Sequence, residues 1–331
     1  MKAARIHEYG DADVLRIEEV PEPTVRANDV LVRVHASSVN PVDYKIRSGS
    51  QRGAVRLKLP RILGMDVSGV VERVGPKVTD FVVGDEVWSS PSHKREGTYA
   101  EYVAIDAAQV ALKPASMSHN EAASLPLVAL TAWDCLVSAA KLKAGEKVFI
   151  SAGAGGVGTV AIQLAKKLGA EVATTCSTRN VDFVKELGAD VVVDYTTTEL
   201  EDALSGYDVA LESLGGEMHA RTLSVLRRGG RLASINSGLP GATKKYGPNL
   251  GVAVVGCRVL GRKFSRVTRG VKTSMVVRKA SGKNLAALAS MVDEGAIRAI
   301  IADVFPLDRI ADAHRAIETG RTRGKNVISI A

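Results

Sequence analysis

The residues in this chain most able to do chemistry are glycines. Gly153-x-Gly155-x-x-Gly158 follows a short apolar run, Val148–Ile150. It opens a segment in which Val157, Val160, Ala161, Leu164, Ala165 and Leu168 recur at helical spacing. Gly169 stands where a helix C-terminal glycine belongs. Strand, glycine turn and helix in that order form a dinucleotide-binding fingerprint. Gly153 permits the tight turn, Gly155 lets the backbone approach a pyrophosphate, and Gly158 lets the helix pack on the strand. Backbone at Gly155, Gly156 and Val157 then faces the phosphates with free N–H groups and the positive end of a helix dipole.

The end of the next predicted strand, Glu171–Thr175, indicates which dinucleotide. Folds that select a free ribose 2′-hydroxyl usually place Asp or Glu there. Here Cys176-Ser177-Thr178-Arg179 follows, and the next carboxylate along the chain is Asp182. Ser177 and Thr178 can donate hydroxyls to a 2′-phosphate, and Arg179 offers a charged fork. The expected cofactor is NADPH, preferred over NADH.

Other chemistries find less support. His7, His35, His93, His119, His219 and His314 are scattered singly, and no Ser/His/Asp arrangement stands out. Cys135, Cys176 and Cys257 lie far apart, which is neither a disulfide framework nor a metal cluster and fits a reducing compartment. The formal net charge is +8, but only 4% of residues are aromatic, leaving little on which to stack bases. The basic stretch Arg262, Lys263, Arg266, Arg269, Lys272, Arg278, Lys279 and Lys283 reads as a solvated face, and no specific nucleic-acid partner is expected. Met1–Gly10 holds no apolar signal region, and no run approaches the roughly 18 apolar residues of a membrane helix. The expectation is a cytoplasmic protein without a membrane partner.

Elements must hold these groups in place. Residues 1–115 read as β-rich, with runs at Val30–Val34, Val67–Val74 and Tyr99–Ile105 between turn signals at Gly64, Gly75-Pro76 and Gly84-Asp85. Ser118-x-x-Glu121 is a capping box, and helical sequence, interrupted by Pro126, runs to about Lys141. From Lys147 strands and helices alternate. Strands are expected at Lys147–Ser151, Glu171–Thr175, Val191–Val193, Asp208–Leu211, Arg231–Ile235 and Cys257–Leu260, with helices at Val181–Leu187 and Glu217–Leu226. Such βα units argue a doubly wound parallel sheet, the Rossmann type of α/β fold. A strand at Val271–Val277, helices at Leu285–Glu294 and Asp308–Thr319, and a closing strand at Asn326–Ile330 complete the chain.

Several separated motifs carry a family resemblance. Besides the fingerprint they are LTAW at Leu130–Trp133, Gln163, SSVNPVDYKIRSG at Ser37–Gly49, LGMDVSGVV at Leu63–Val71, VGDEVW at Val83–Trp88 and RGKNVISI at Arg323–Ile330. Together the chain resembles the zinc-independent medium-chain dehydrogenase/reductase superfamily, in its quinone oxidoreductase and enone reductase group. The resemblance implies a GroES-like catalytic domain over 1–122, a Rossmann NADP-binding domain over 123–262, and a return to the catalytic lobe over 263–331 that carries the strand at 271–277. It places the active site in the cleft between lobes and implies a homodimer. It places Tyr195 on the adenosine side, Ser213, Leu214 and Asn236 along the cofactor, and Thr131 and Lys45 toward the nicotinamide. Arg323 and Lys325 would clamp the cofactor from the other lobe. Tyr44 is the one attractive proton donor in NPVDYK. Zinc alcohol dehydrogenases carry Cys where this chain has Asn40, and Gly-His-Glu where it has Gly64-Met65-Asp66. Asn and Met are poor zinc ligands beside Cys and His. The activity so implied is hydride transfer, without zinc, to a quinone or to the C=C bond of an α,β-unsaturated carbonyl.

Overall fold

The computed structural model describes residues 1–247, 249–256 and 270–331. The chain divides into two compact units. One is Met1–Leu130 with Lys279–Ala331, and the other is Thr131–Arg278.

The first unit is built on a long strand, Asp29–Val39, most of whose residues are buried. It centres a seven-stranded sheet. Neighbours run Ile301–Pro306, Lys325–Ser329, Asp29–Val39, Val67–Val74, Glu86–Ser89 and Val110–Leu112, and Tyr102–Asp106 pairs separately with the long strand. The pairings are antiparallel except that of Ile301–Pro306 with Lys325–Ser329. The long strand serves three partners because Tyr102–Asp106 pairs with its residues 29–33 and Lys325–Ser329 with 36–39, while Val67–Val74 pairs along it with register shifts at Leu31/Val32 and Val34/Ala36. Val30, Val32, Val34, Val67, Val71, Phe81, Val87, Val103, Ile105 and Val110 form its core. The closing strand lies beside the C-terminal half of the long one, with Asn326 opposite Val39 and Ser329 opposite Ala36. That register sets Lys325 next to Asn40.

Among its described residues the second unit holds six parallel strands. In spatial order they are Val191–Asp194, Glu171–Cys176, Lys147–Ile150, Tyr207–Glu212, Leu226–Ser234 and Lys272–Met275. Numbered along the chain the order is 3-2-1-4-5-6, that of a doubly wound dinucleotide fold. Val148, Phe149 and Ile150 are fully buried, as a central strand covered on both faces requires.

Three expectations change. The strand expected within 271–277 spans Lys272–Met275 and adds in parallel to Leu226–Ser234, so it belongs to the nucleotide sheet and the return to the first unit comes at Lys279 instead of 263. The capped helix at His119–Ala123 stays with the first unit, and the boundary falls at Leu130/Thr131 instead of 122/123. Its capping box forms as expected, and after the break at Pro126 the chain continues as an α-helix to Trp133 and one π-helical stretch over Asp134–Ala139. The strand expected from Tyr99 starts at Tyr102. The strand expected at 257–260 and Arg262, Lys263, Arg266 and Arg269 lie outside the described residues. No helix among the described residues is long and apolar enough to cross a membrane.

Candidate cofactor and catalytic site

The turn after the first nucleotide strand is shaped by close approaches. Ala152 adopts a left-handed backbone, φ +56°, although it is not glycine. Its N–H donates to Thr175 Oγ1 at 3.1 Å, and Gly153 N–H donates to Thr175 O at 2.9 Å. A Cβ on Gly158 would run into Ala152 O, and one on Gly153 into the Thr174 side chain. A Cβ on Gly155 would meet only Ala152 O, at 3.3 Å. Gly153 and Gly158 therefore serve the chain's own packing, while Gly155 keeps open the space before the helix. The helix Gly156–Lys167 has no side-chain N-cap, so its first-turn N–H groups, from Gly156 to Gly158, are offered outward. Backbone N–H donors, a dipole end and an uncrowded approach fit a dinucleotide's pyrophosphate.

At the end of the second strand, Ser177 is half-buried, and Thr178 and Arg179 are exposed. Here the structure adds a carboxylate that the linear reading misses. Cys176 is in register with Asp194 of the third strand. Hydroxyls of Thr178 and Thr196, with the Thr196 amide, hold the Asp194 carboxyl below the usual carboxylate range. Thr178 Oγ1 lies 2.9 Å from Thr196 Oγ1. Tyr195 fastens its amide to Cys176 O at 3.1 Å and leaves its ring exposed. The expected group of Ser177, Thr178, Arg179 and Tyr195 is thus gathered at one strand edge, with Asp194 among them.

The fourth and fifth strands end in a second cluster. Ser213 N–H donates to Ser151 Oγ at 2.9 Å, and the two hydroxyls are 3.1 Å apart. Glu212 is fully buried; its Oε1 accepts from the Leu214 N–H at 2.6 Å and from the Gly215 N–H, and its Oε2 accepts from Ser234 Oγ at 2.9 Å. Asn236 Nδ2 donates to Leu214 O at 2.7 Å. The expected Ser213, Leu214 and Asn236 therefore form one tied turn, and the buried Glu212 behind them was not anticipated. Thr131 is buried in the helix Pro126–Trp133.

In the first unit Asn40 caps the helix Pro41–Arg47 through a capping box with Asp43. Asn40 Nδ2 donates to Asp66 Oδ2 at 2.7 Å. Asp66 is fully buried and also accepts from Ser38 Oγ at 2.7 Å and from the Leu127 N–H at 2.6 Å. Lys325 Nζ donates to Val39 O at 3.0 Å, to Asn40 Oδ1, and to Asp66 Oδ2 at 3.4 Å. Lys325 is 3% exposed, and its ammonium is engaged within the first unit. Arg323 remains exposed. Burial lowers the Lys325 ammonium, with Asp66 and Asp43 pulling the other way. Burial pushes the Asp43 carboxyl up to about 7, against the Asn40 amide and the Lys325 charge.

Tyr44 and Lys45 lie on the capped helix and are both half-buried. Burial, then the charge of Glu318, raises the Tyr44 phenol above its ordinary value, which makes it a poorer acid. Burial lowers the Lys45 ammonium. Its Nζ lies 5.9 Å from the Tyr44 ring centroid.

Remaining candidates fall away on chemistry. His35 and His119, expected singly, stack at 4.4 Å. Among the described residues no three His, Cys, Asp or Glu side chains come together as a metal site. Burial pushes the Cys135 and Cys176 thiols up to about 12 and about 11, so neither is a nucleophile. A cavity of about 440 Å³ in the first unit is lined by Arg5, Arg26, Arg61, Lys94 and Arg95, and none of the expected site residues borders it.

Comparison with known proteins decides the family. Residues 26–115 match the alcohol dehydrogenase GroES-like domain, and 187–328 match a domain described as zinc-binding dehydrogenase. The chain is 35% identical to NAD(P)H oxidoreductase RTN4IP1, mitochondrial, of Danio rerio, over 100% of this chain and 91% of that protein. It is 34% identical to the chloroplastic NADPH-dependent alkenal/one oxidoreductase of Arabidopsis thaliana, over 99% and 79%. The solved quinone oxidoreductase of Coxiella burnetii superposes with a TM-score of 0.87 at 32% identity, over 100% and 99%. The chain belongs to the quinone oxidoreductase group of the medium-chain dehydrogenase/reductase superfamily. Asn40 and Asp66 are committed to each other and to Lys325.

Proposed function

We propose that the protein is an NADPH-dependent oxidoreductase that reduces a quinone or the C=C bond of an α,β-unsaturated carbonyl without zinc. One observation carries the reading: a 3-2-1-4-5-6 parallel sheet whose first turn offers unspent backbone amides beside Gly155. The bound nicotinamide would supply hydride. Gly155, Gly156 and Val157 would hold the pyrophosphate. Ser177 and Arg179 would hold the 2′-phosphate, with the Arg179 guanidinium offsetting the Asp194 carboxylate, on which the Thr178 hydroxyl is spent. Zinc independence is supported by the donor set, since the Asn40 and Asp66 side chains already satisfy an internal ammonium, which takes the place of an external cation. An enone also needs a proton at its α-carbon. Lys45 and Tyr44 on the capped helix are the two candidates to give it; burial eases loss of the Lys45 proton and hinders loss of the Tyr44 proton. The RTN4IP1 and alkenal/one relatives carry mitochondrial and chloroplastic names, so the cytoplasmic placement rests on the sequence alone and the homodimer on the resemblance.

The test is NADPH and NADH oxidation with quinones, 2-alkenals and enones, with and without a chelator. Chelator-insensitive reduction with NADPH favoured about tenfold or more in kcat/KM is expected, and Arg179→Ala should erase most of that preference. Lys45→Met should lower enone turnover by about 10²-fold or more, and Tyr44→Phe far less. Chelator-sensitive alcohol oxidation with no enone or quinone reduction refutes the reading.

A further inference from the structure

We propose that Glu212 positions the nicotinamide half of the cofactor by holding the turn Ser213–Gly215 in one shape. The inference rests on the dinucleotide reading above. In a 3-2-1-4-5-6 sheet the first three strands serve one mononucleotide, with the ribose of the adenosine half at the end of the second strand. The fourth and fifth strands therefore serve the other half. Glu212 closes the fourth strand, and Ser234 closes the fifth.

A buried carboxylate is expensive unless donors surround it. Glu212 has them in the amides of Leu214 and Gly215 and the hydroxyl of Ser234, and the His219 ring lies beside them with Nδ1 3.6 Å from Oε2. Burial raises its carboxyl, but these donors prevail and hold it below the usual range, so Glu212 is ionised at neutral pH. The turn is fastened again from two other sides. Ser151, at the end of the first strand, accepts from the Ser213 amide, and Asn236 bridges Leu214 O and the Gly238 amide. Gly215 has φ +74°, and a Cβ there would come within 2.7 Å of Asn236 Cγ. All this rigidity serves a turn whose central side chain, Leu214, is half exposed. A turn needed only to reverse the chain could satisfy its amides with water. A buried charge aimed at two adjacent amides instead fixes where the Ser213 hydroxyl and the apolar Leu214 side chain stand, which suits one face of a flat, neutral or cationic ring.

The test separates the two halves of the ligand. Calorimetric titration of the apo protein with NADPH and with 2′,5′-ADP, which lacks the nicotinamide half, is done on the parent, Glu212→Gln and Glu212→Asp. Glu212→Gln keeps the size but places an N–H₂ or a neutral oxygen against two amide donors. It should weaken NADPH by about tenfold or more and leave 2′,5′-ADP within about twofold. Glu212→Asp keeps the charge and should recover part of the loss. If Glu212→Gln fails to fold, Asn236→Ala, which frees Leu214 O, should give the same split at smaller size. Equal weakening of both ligands, or of neither, overturns the proposal and leaves Glu212 a stability residue. If the unmodified protein binds neither ligand, the dinucleotide reading fails and the proposal falls with it.

Discussion

In the second unit the glycine turn is made mostly by neighbours: Ser151 to Thr159 supply the bend, the close approach and the helix start, Thr174 and Thr175 brace it from the next strand, and Leu211 and Ser213 bond Ser151. In the first unit the Asp66 network gathers Ser38, Asn40, Leu127 and Lys325, with Lys325 separated from Asn40 by 285 positions. One site is written into a short stretch and uses backbone groups. The other exists only when distant strands are in register, and it uses buried charge. A local site should fail locally, through sterics, and a distributed one should fail globally, through desolvation.

The largest expected effect is at the distributed site. Lys325→Met keeps the bulk and leaves the Asp66 carboxylate buried without its cation, so unfolding free energy should fall by about 3–5 kcal/mol in chemical denaturation. Adding Asp66→Asn should recover part of it. A single variant as stable as the parent would break the contrast, because the network would then be decorative.

Next comes the glycine turn. Gly158→Ala must push the helix off Ala152 O and should lose about 1–3 kcal/mol. Gly155→Ala, with only Ala152 O near at 3.3 Å, should stay within about 0.5 kcal/mol of the parent yet weaken NADPH binding. Equal stability losses in the two would show that the helix tolerates displacement and that the local reading of the turn is wrong.

The smallest effect is a slope. Asp43 titrates at about 7 in the fold against 3.8 ordinarily. As pH rises from about 4 to 7 the unfolded chain has already released this proton and the fold has not, so the fold binds more protons and loses stability along the way. His314, pushed by burial and then by Arg47 from 6.5 down to about 3, works in the opposite sense: the unfolded chain binds more protons, and stability rises with pH. The two slopes offset each other in the parent. Asp43→Asn removes one, so its stability relative to the parent should climb by about 1–2 kcal/mol between pH 5 and pH 7. Parallel profiles for parent and variant would mean that Asp43 carries no buried proton.

The same contrast explains what could be read from the sequence. The fingerprint, its helix, the Ser118 capping box and the alternation of strands and helices depend on residues close in the chain, and all stand in the structure. Asp194 could not be seen beside Thr178, because only the parallel register of the second and third strands joins them. The burial of Lys325 against Asn40 and Asp66 could not be seen either, because nothing local announces that its strand pairs at Val39. The strand Lys272–Met275 was assigned to the wrong unit for the same reason: its partner is Leu226–Ser234. Glu212 did carry a signal, an acid closing an apolar strand run and followed by two glycines, Gly215 and Gly216, at the expected cofactor edge.

The closing strand also sets an order of events during synthesis. Residues 131–278 form a unit from contiguous chain and can fold as soon as they emerge. The first unit has residues 1–130 long before, but the long strand Asp29–Val39 lacks its neighbour Lys325–Ser329 until that strand leaves the ribosome. Until then Asp66 and Asn40 have no ammonium between them, and Ala36–Val39 is an unpaired edge open to other chains. Arrival of the strand Lys325–Ser329 is thus a step at which a newborn chain is exposed to aggregation, and removing residues 325–331 should prolong it.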